Sequence, residues 1–297
     1  SNTINLTPAG STATITDSLS DFGSKSTILD DVLADTDAKI VVSGSAISSS
    51  TDLESLNTVL GTVLSGGVKV SVTSTATLIK SKLTNAAGVD DITFEISEDI
   101  SVADINTIED KTSQGTIALG SGVKIADTLA HLTKAGPAIA DDYATALTNL
   151  SGGAPDITVT AFSLSSTDEI QKLNTLMANG DTGNVSGQVT DTNGAIIHNG
   201  THDLTAGSGD SIKVITGTYA MTNTFRSSII ALATQAGISE VTGTVSSVSS
   251  ADVTALNSAA TFSATVSSLS LTTDEAIGVN AGASLASRGD ITYTGGI

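Results

Sequence analysis

Apolar residues along the chain follow two rhythms that take turns. In KIVVS (Lys39–Ser43), VKVSV (Val68–Val72), ITFEI (Ile92–Ile96), ITVTAF (Ile157–Phe162), IKVIT (Ile212–Thr216), VTGTV (Val241–Val245), FSATV (Phe262–Val266) and ITYTG (Ile291–Gly295), β-branched residues alternate with polar ones. That period of two predicts short strands. Between them the apolar spacing lengthens to a helical one: Leu53, Leu56 and Leu60; Ile105 and Ile108; Ile170, Leu173, Leu176 and Met177; Val253 and Leu256. Each helical run opens on a hydroxyl residue followed three positions later by an acid: Thr51 with Glu54, Ser101 with Asp104, Ser166 with Glu169, Ser249 with Asp252. Thr272 with Glu275 repeats the opening. The hydroxyl accepts a free amide of the first turn, and the acid reaches back and complements the helix dipole. Asn57, Asn174 and Asn257 then mark predicted helix ends or bonds to loop backbone. Weaker helical stretches start at Thr75 (TATLIKSKL), Val123 (VKIADTLAHL) and Thr224 (TFRSSIIALA).

The recurrence has a spacing. Asp104 and Asp127 are 23 positions apart, as are Asp168 and Asp191, and other intervals are longer. One strand plus one short capped helix or turn in each 20–30 residues predicts a β/α repeat solenoid of stacked coils with a mostly parallel sheet. Small α+β modules interrupted by hairpins are the alternative architecture. Two blocks are expected, 1–150 and 151–297, divided near LSGGAPD (Leu150–Asp156), with a β-rich insertion near 180–218 where Gly, Asn and Asp replace helix signals.

Composition sharpens the picture. Aromatics make up 3% of the 297 residues and cysteine is absent, so the core is expected to be built in thin layers of small aliphatics. The 31 acids against 12 bases leave a formal charge of −19. That balance argues against nucleic acid, which needs clustered bases to release counterions, and against an anionic membrane surface. No apolar run approaches the ~18 residues that cross a bilayer, so no membrane insertion is expected. The opening SNTINLTPAG has neither a basic start nor an apolar segment, and the end TYTGGI is strand-like, which reads as a fragment or a processed form.

Candidate chemistry is sparse. The oxygen donors Asp181, Asn184, Asp191 and Asn193 of the central insertion are the candidate ligands for a cation, calcium being the one such a set suits. Adjacent acids at Asp30-Asp31, Asp90-Asp91 and Asp141-Asp142 read as solvated turns. His198 and His202 have a spacing that suits a metal on a helix, but the intervening Asn199-Gly200 favours a turn. Arg288-Gly289-Asp290 spells an integrin tripeptide, and a turn before a strand is the plainer reading. No nucleophile elbow, phosphate loop or carboxylate pair nominates a catalytic site, so no enzyme is expected.

The strand, the [ST]-x-D helix start and the Leu-Asn pair, in an acidic, Cys-free chain rich in Ser and Thr, resemble the repeat regions of large secreted bacterial surface proteins of S-layer-like and adhesin-like type. Related repeats occur in phage fibres. The resemblance implies an extracellular or cell-surface, non-enzymatic structural or adhesive segment, partnered by itself, by neighbouring surface proteins or by glycans. A phage receptor-binding segment and a polysaccharide-degrading solenoid are the alternatives. Proteins of that class commonly bind calcium through a Gly-rich nonapeptide; TAGSGDSI (Thr205–Ile212) keeps Asp210 and Ile212 but shifts the glycines. Separately, VSGQVTDTNGAII (Val185–Ile197) is similar to the opening hairpin of transthyretin-like, carboxypeptidase-regulatory β-sandwich modules.

Overall fold

A computed structural model describes residues 14–24, 39–62, 67–164, 166–191, 196–198, 201–246, 252, 255, 262–266 and 291–293. A six-stranded sheet runs β1 (Thr14–Ser18), β2 (Lys39–Ser43), β3 (Val68–Ser74), β4 (Asp91–Ile96), β5 (Ile117–Leu119) and β9 (Leu150–Ser151), with every pairing parallel. A seven-stranded sheet runs β6 (Ile125–Asp127), β10 (Ile157–Leu164), β11 (Val185–Asp191), β14 (Ser211–Ala220), β15 (Ile238–Ser246), β16 (Phe262–Val266) and β17 (Ile291–Tyr293). The pairings from β10 to β17 are parallel as well. Seven of the eight segments expected as strands lie wholly in these sheets, and the described part of the eighth, Ile291–Tyr293, does as well.

Parallel neighbours need a crossover, and among the described residues eight helices supply most of them. They are α1 (Leu19–Ser24), α2 (Ser50–Thr62), α3 (Ala76–Lys82), α4 (Val102–Glu109), α5 (Leu129–Leu132), α6 (Asp141–Thr148), α7 (Thr167–Met177) and α8 (Asn223–Thr234). Two antiparallel hairpins join them: β7 (Thr133–Lys134) with β8 (Ala138–Ile139), and β12 (Ile197–His198) with β13 (Thr201–His202).

This corrects the expected architecture. The chain is an α/β fold with two separate parallel sheets, not one solenoid of like coils. Its connections differ in kind, helix in some and hairpin in others. The chain also leaves the first unit at Ala126–Asp141 and returns to it, so the compact units are Ser1–Ile125 with Asp142–Gly153, and Ala126–Asp141 with Ala154–Ile297. The physical reason is that the repeated strand-then-capped-helix signal reports parallel crossovers, which any α/β layer requires. The expected β-sandwich opening at Val185–Ile197 is corrected too. β11 pairs in parallel with β10 and β14 instead of folding back on itself, and Ile197 faces His202.

The first unit shows how the pattern becomes a core. Val68, Val70 and Val72 of β3 and Ile92, Phe94 and Ile96 of β4 are buried, together with Leu53 and Leu56 of α2, Ile79 of α3 and Ile105 and Ile108 of α4. Helices of seven to thirteen residues are too short to hold alone, so this burial is what fixes them. Caps set where they begin. Ser166 and Glu169 form a complete capping box, and Ser101 accepts the Asp104 amide. The expected pair Thr51–Glu54 is displaced by two positions: Ser49 Oγ accepts the Asp52 amide at 3.1 Å. Ser249 and the Thr272–Glu275 pair lie outside the described residues. Nor does the stretch from Val123 form one helix, since Ile125–Asp127 is strand and only Leu129–Leu132 is helical.

Asn57 and Asn174 do not end their helices. Each sits inside one and reaches sideways to the loop of the next crossover: Asn57 Oδ1 accepts the Asn85 amide at 2.8 Å, and Asn174 Oδ1 accepts the Thr205 amide at 2.9 Å. Asn257 lies outside the described residues. Glycine is required at two matching strand entries. Gly67 (φ +68°) and Gly237 (φ +82°) occupy left-handed backbone, and an added Cβ would stand 2.2 Å from the Val89 carbonyl oxygen and 2.1 Å from that of Gly207.

Candidate functional site

Parallel sheets are ordinarily covered on both faces. In the first unit one face of the sheet carries the core, and the alternate residues of the central strands stand in solvent: Lys69 and Ser71 on β3, Thr93 and Glu95 on β4. The period of two explains the sorting, since neighbours along a strand point to opposite faces. This open polar face is the candidate functional surface.

Its organising group is Asp91. Lys69 lies opposite it in register, and its Nζ is 3.0 Å from Oδ2. Lys39 reaches the same oxygen at 3.4 Å from β2, one strand further away. Gln114 Nε2 donates to Oδ1. Burial by itself would raise the carboxyl, but the hydrogen bonds and charges of Lys69 and Lys39 outweigh it and hold Asp91 below the usual carboxylate range. Further along, Thr73 Oγ1 donates to Glu95 at 3.2 Å. The second sheet has a corresponding row, with Gln188, Lys213 and Glu240 in register and a 2.6 Å Lys213–Glu240 ion pair. Thr158 and Ser186 hydroxyls lie 3.2 Å apart on the same sheet. Such rows offer hydroxyls, amides and paired charges to a polar partner.

Asp90, next to Asp91, does different work. Its two carboxylate oxygens accept the Val68 amide and the Ala87 amide, both at 2.9 Å. Burial pushes this carboxyl up, and the two amides oppose the shift. Asp210 repeats the arrangement, accepting Val185 at 2.8 Å and Gly207 at 2.7 Å. In both cases a side-chain oxygen stands where a strand carbonyl would otherwise receive the neighbour's first amide. The reading of Asp90-Asp91 as solvated turn residues is therefore corrected, as both are buried. Asp141 and Asp142 are exposed, and Asp141 pairs with Lys134 at 2.5 Å. Asp30-Asp31 lies outside the described residues.

The described members of the candidate cation set do not gather at one place. Asp181 is exposed in the turn after α7, and Asn184 precedes β11 with its amide donating to Asp156 at 2.8 Å. Asp191 ends β11, fully buried, and accepts the Ile196 amide at 3.1 Å. The seven residues of β11 put Asn184 and Asp191 roughly 20 Å apart, so they do not share one ion. Asn193 is not among the described residues. No group of three or more His, Cys, Asp or Glu able to hold a metal occurs among the described residues. His198 and His202 sit on the two arms of the β12–β13 hairpin rather than on a helix. Arg288-Gly289-Asp290 lies outside the described residues.

One pair escaped sequence reasoning. His131 Nδ1 lies 2.6 Å from Asp127 Oδ1, with Asp127 buried and the imidazole exposed. Thr128, between them, caps α5 by accepting the His131 amide at 3.3 Å. The spacing of four positions at a helix start was the available signal. Tyr219 was missed as well. It stacks on Phe225 with ring centroids 4.4 Å apart, and burial together with the Asp191 charge pushes its phenol up.

Comparison with protein-family models finds no match, and comparison with curated proteins finds no similar one. Among the described residues no helix is long and apolar enough to cross a membrane.

Proposed function

We propose that this chain is a non-enzymatic structural or adhesive segment of a secreted bacterial surface protein, working through the open face of its six-stranded sheet. The observation that carries this reading is the uncovered polar face of the six-stranded sheet, where Lys69, Ser71, Thr93 and Glu95 are exposed on a parallel sheet of the kind usually buried on both sides. A face of hydroxyls and paired charges suits contact with polar neighbours, either glycans or further surface proteins, by many weak hydrogen bonds. The chain's charge of −19 disfavours nucleic acid as the partner.

The test is direct. Purified chain is applied to a glycan array and run in sedimentation velocity over a concentration series, beside the double variant Ser71→Arg, Thr93→Arg. Binding or self-association that the variant abolishes, with its melting temperature unchanged, supports the proposal. Absence of both activities in the parent chain overturns it.

A further inference from the structure

We infer that the chain extends under tension in discrete steps of one strand and its connector each, ending in one longer step. The inference follows from topology alone and holds whether or not the surface reading does.

Within each sheet the strands stand in the order in which the chain makes them. A strand at the edge is therefore also the strand nearest the pulled end, and it can peel without disturbing those behind it. The side-chain ties respect the same order. Lys80 reaches Asp104, Lys82 reaches Glu54, Asn57 reaches Asn85, Asn174 reaches Thr205 and Arg226 reaches Asp252, each joining one crossover to the next. Nothing in that arrangement makes a sheet let go all at once.

Step length comes from the register. Neighbouring residues are separated by 21 positions where Val241 faces Phe262, and by 28 where Ile157 faces Val185. At about 3.3–3.6 Å per extended residue, each released strand and connector adds roughly 70–100 Å of contour.

The middle of the chain breaks this rule. β5 pairs with β9 while β6 neighbours β10, so the two pairings cross in sequence. Neither β9 nor β6 is an edge that the pulled end reaches first. When the outer strands have gone, each sheet is reduced to two strands, and a two-stranded sheet is marginal at best. Residues 117–164 are thus expected to release together, adding roughly 155–170 Å.

Among the described residues one tie departs from the neighbour-only pattern. Lys39 on β2 reaches past β3 to Asp91 on β4, beside Lys69 on β3. Asp91 therefore clamps three strands, and β2 and β3 are expected to be the most resistant of the outer steps in the first sheet.

The experiment is single-molecule force spectroscopy on the full chain, held by handles at its two ends. The expected record is a series of steps of roughly 70–100 Å followed by one of roughly 155–170 Å. In Asp91→Asn the rate of the β2 and β3 steps at fixed force is expected to rise about tenfold, with the other steps unchanged in length and rate. A single all-or-none extension of either sheet overturns the inference, as does a set of step lengths unrelated to the strand spacing. Steps of the right length whose rates ignore Asp91→Asn overturn the clamp.

Discussion

Asp90 and Asp210 hold equivalent places in the two sheets, and their surroundings differ. Each follows a tight turn, accepts the amide three residues back and receives the first amide of the preceding strand. Around Asp90 the connectors are helices, with α2, α3 and α4 following β2, β3 and β4 in turn. Around Asp210 the connector between β11 and β14 is the β12–β13 hairpin, and α7 and α8 lie to either side of it in the sequence. The second sheet also carries register shifts, between Val159 and Phe162 and between Ile215 and Thr218. The same strand-entry device thus works with different connectors. What is held constant is the requirement that the first amide of a strand find an acceptor, because an unmatched buried amide is costly. What lies over the sheet is free to be helix or hairpin, provided it brings apolar side chains such as Ile196, Ile197 and Leu204 to bury.

The comparison can be broken most forcefully at the cores. Phe94→Ala in β4 is expected to cost about 3–5 kcal/mol, and Leu173→Ala in α7 about 2–5 kcal/mol. Both side chains are fully buried. Urea unfolding followed by circular dichroism reads the loss, and a cost below 1 kcal/mol at either site would contradict its place in the core.

The next effect tests the equivalence itself. An asparagine has one acceptor oxygen and turns an amide donor toward the second backbone amide. Asp90→Asn and Asp210→Asn are each expected to lose about 1–3 kcal/mol. Hydrogen exchange at Val68 in the first variant and at Val185 in the second should accelerate. Loss at only one site would show that the two turns are alike in shape but not in energetics.

Asn57→Ala and Asn174→Ala remove the sideways bonds from helix to next loop, and each should cost about 0.5–1.5 kcal/mol. If both asparagines served only as helix ends, the first of the two roles their sequence position allows, the exchange rates of Asn85 and Thr205 would not change. A rise at those two amides distinguishes the lateral role.

The smallest effect separates two adjacent carboxyls by pH. Asp91 is held below the usual range by Lys69 and Lys39, so its pairs stabilise the fold above the ordinary value of about 4 and are lost as pH falls through its own lower value. Asp90 is pushed up by burial, so its ionised form burdens the fold at neutral pH and protonation relieves that burden as pH falls toward about 4. Melting curves should therefore show the deficit of Asp91→Asn steady down to about pH 4 and shrinking below it. The deficit of Asp90→Asn should widen slightly from neutral pH to about pH 4.

Much of the local structure was legible. Alternation placed KIVVS, ITFEI and FSATV as strands because β-branched residues on a period of two suit nothing else as well. Hydroxyl-to-acid spacing placed the starts of α4 and α7 because the unmet amides of a first turn need an acceptor within three residues. Short strands such as β5 and β9 gave no such signal, since three and two residues are too few to display a period. Asp90 looked like a solvated turn acid because its partner amide, Val68, lies 22 positions away. The candidate cation set at Asp181, Asn184 and Asp191 looked like one loop because the sequence does not say that β11 runs through its middle. The open face at Asp91 was invisible for a related reason: Lys39 is 52 positions distant, and only the sheet's register brings it there.

By itself, then, the sequence determined the longer strands, helix starts such as those at Ser101 and Ser166, and the acidic, aromatic-poor composition, because each of these depends on residues within one turn or one strand of each other. Tertiary structure decided which strands pair, that there are two sheets with an exchange of chain between them at Ala126–Asp141, and that the first sheet leaves one polar face uncovered. Those outcomes rest on contacts between segments twenty or more residues apart, and a strand-and-helix pattern is satisfied equally by a stack of coils and by α/β layers. The choice falls to the register of long-range pairing and to which apolar faces find each other.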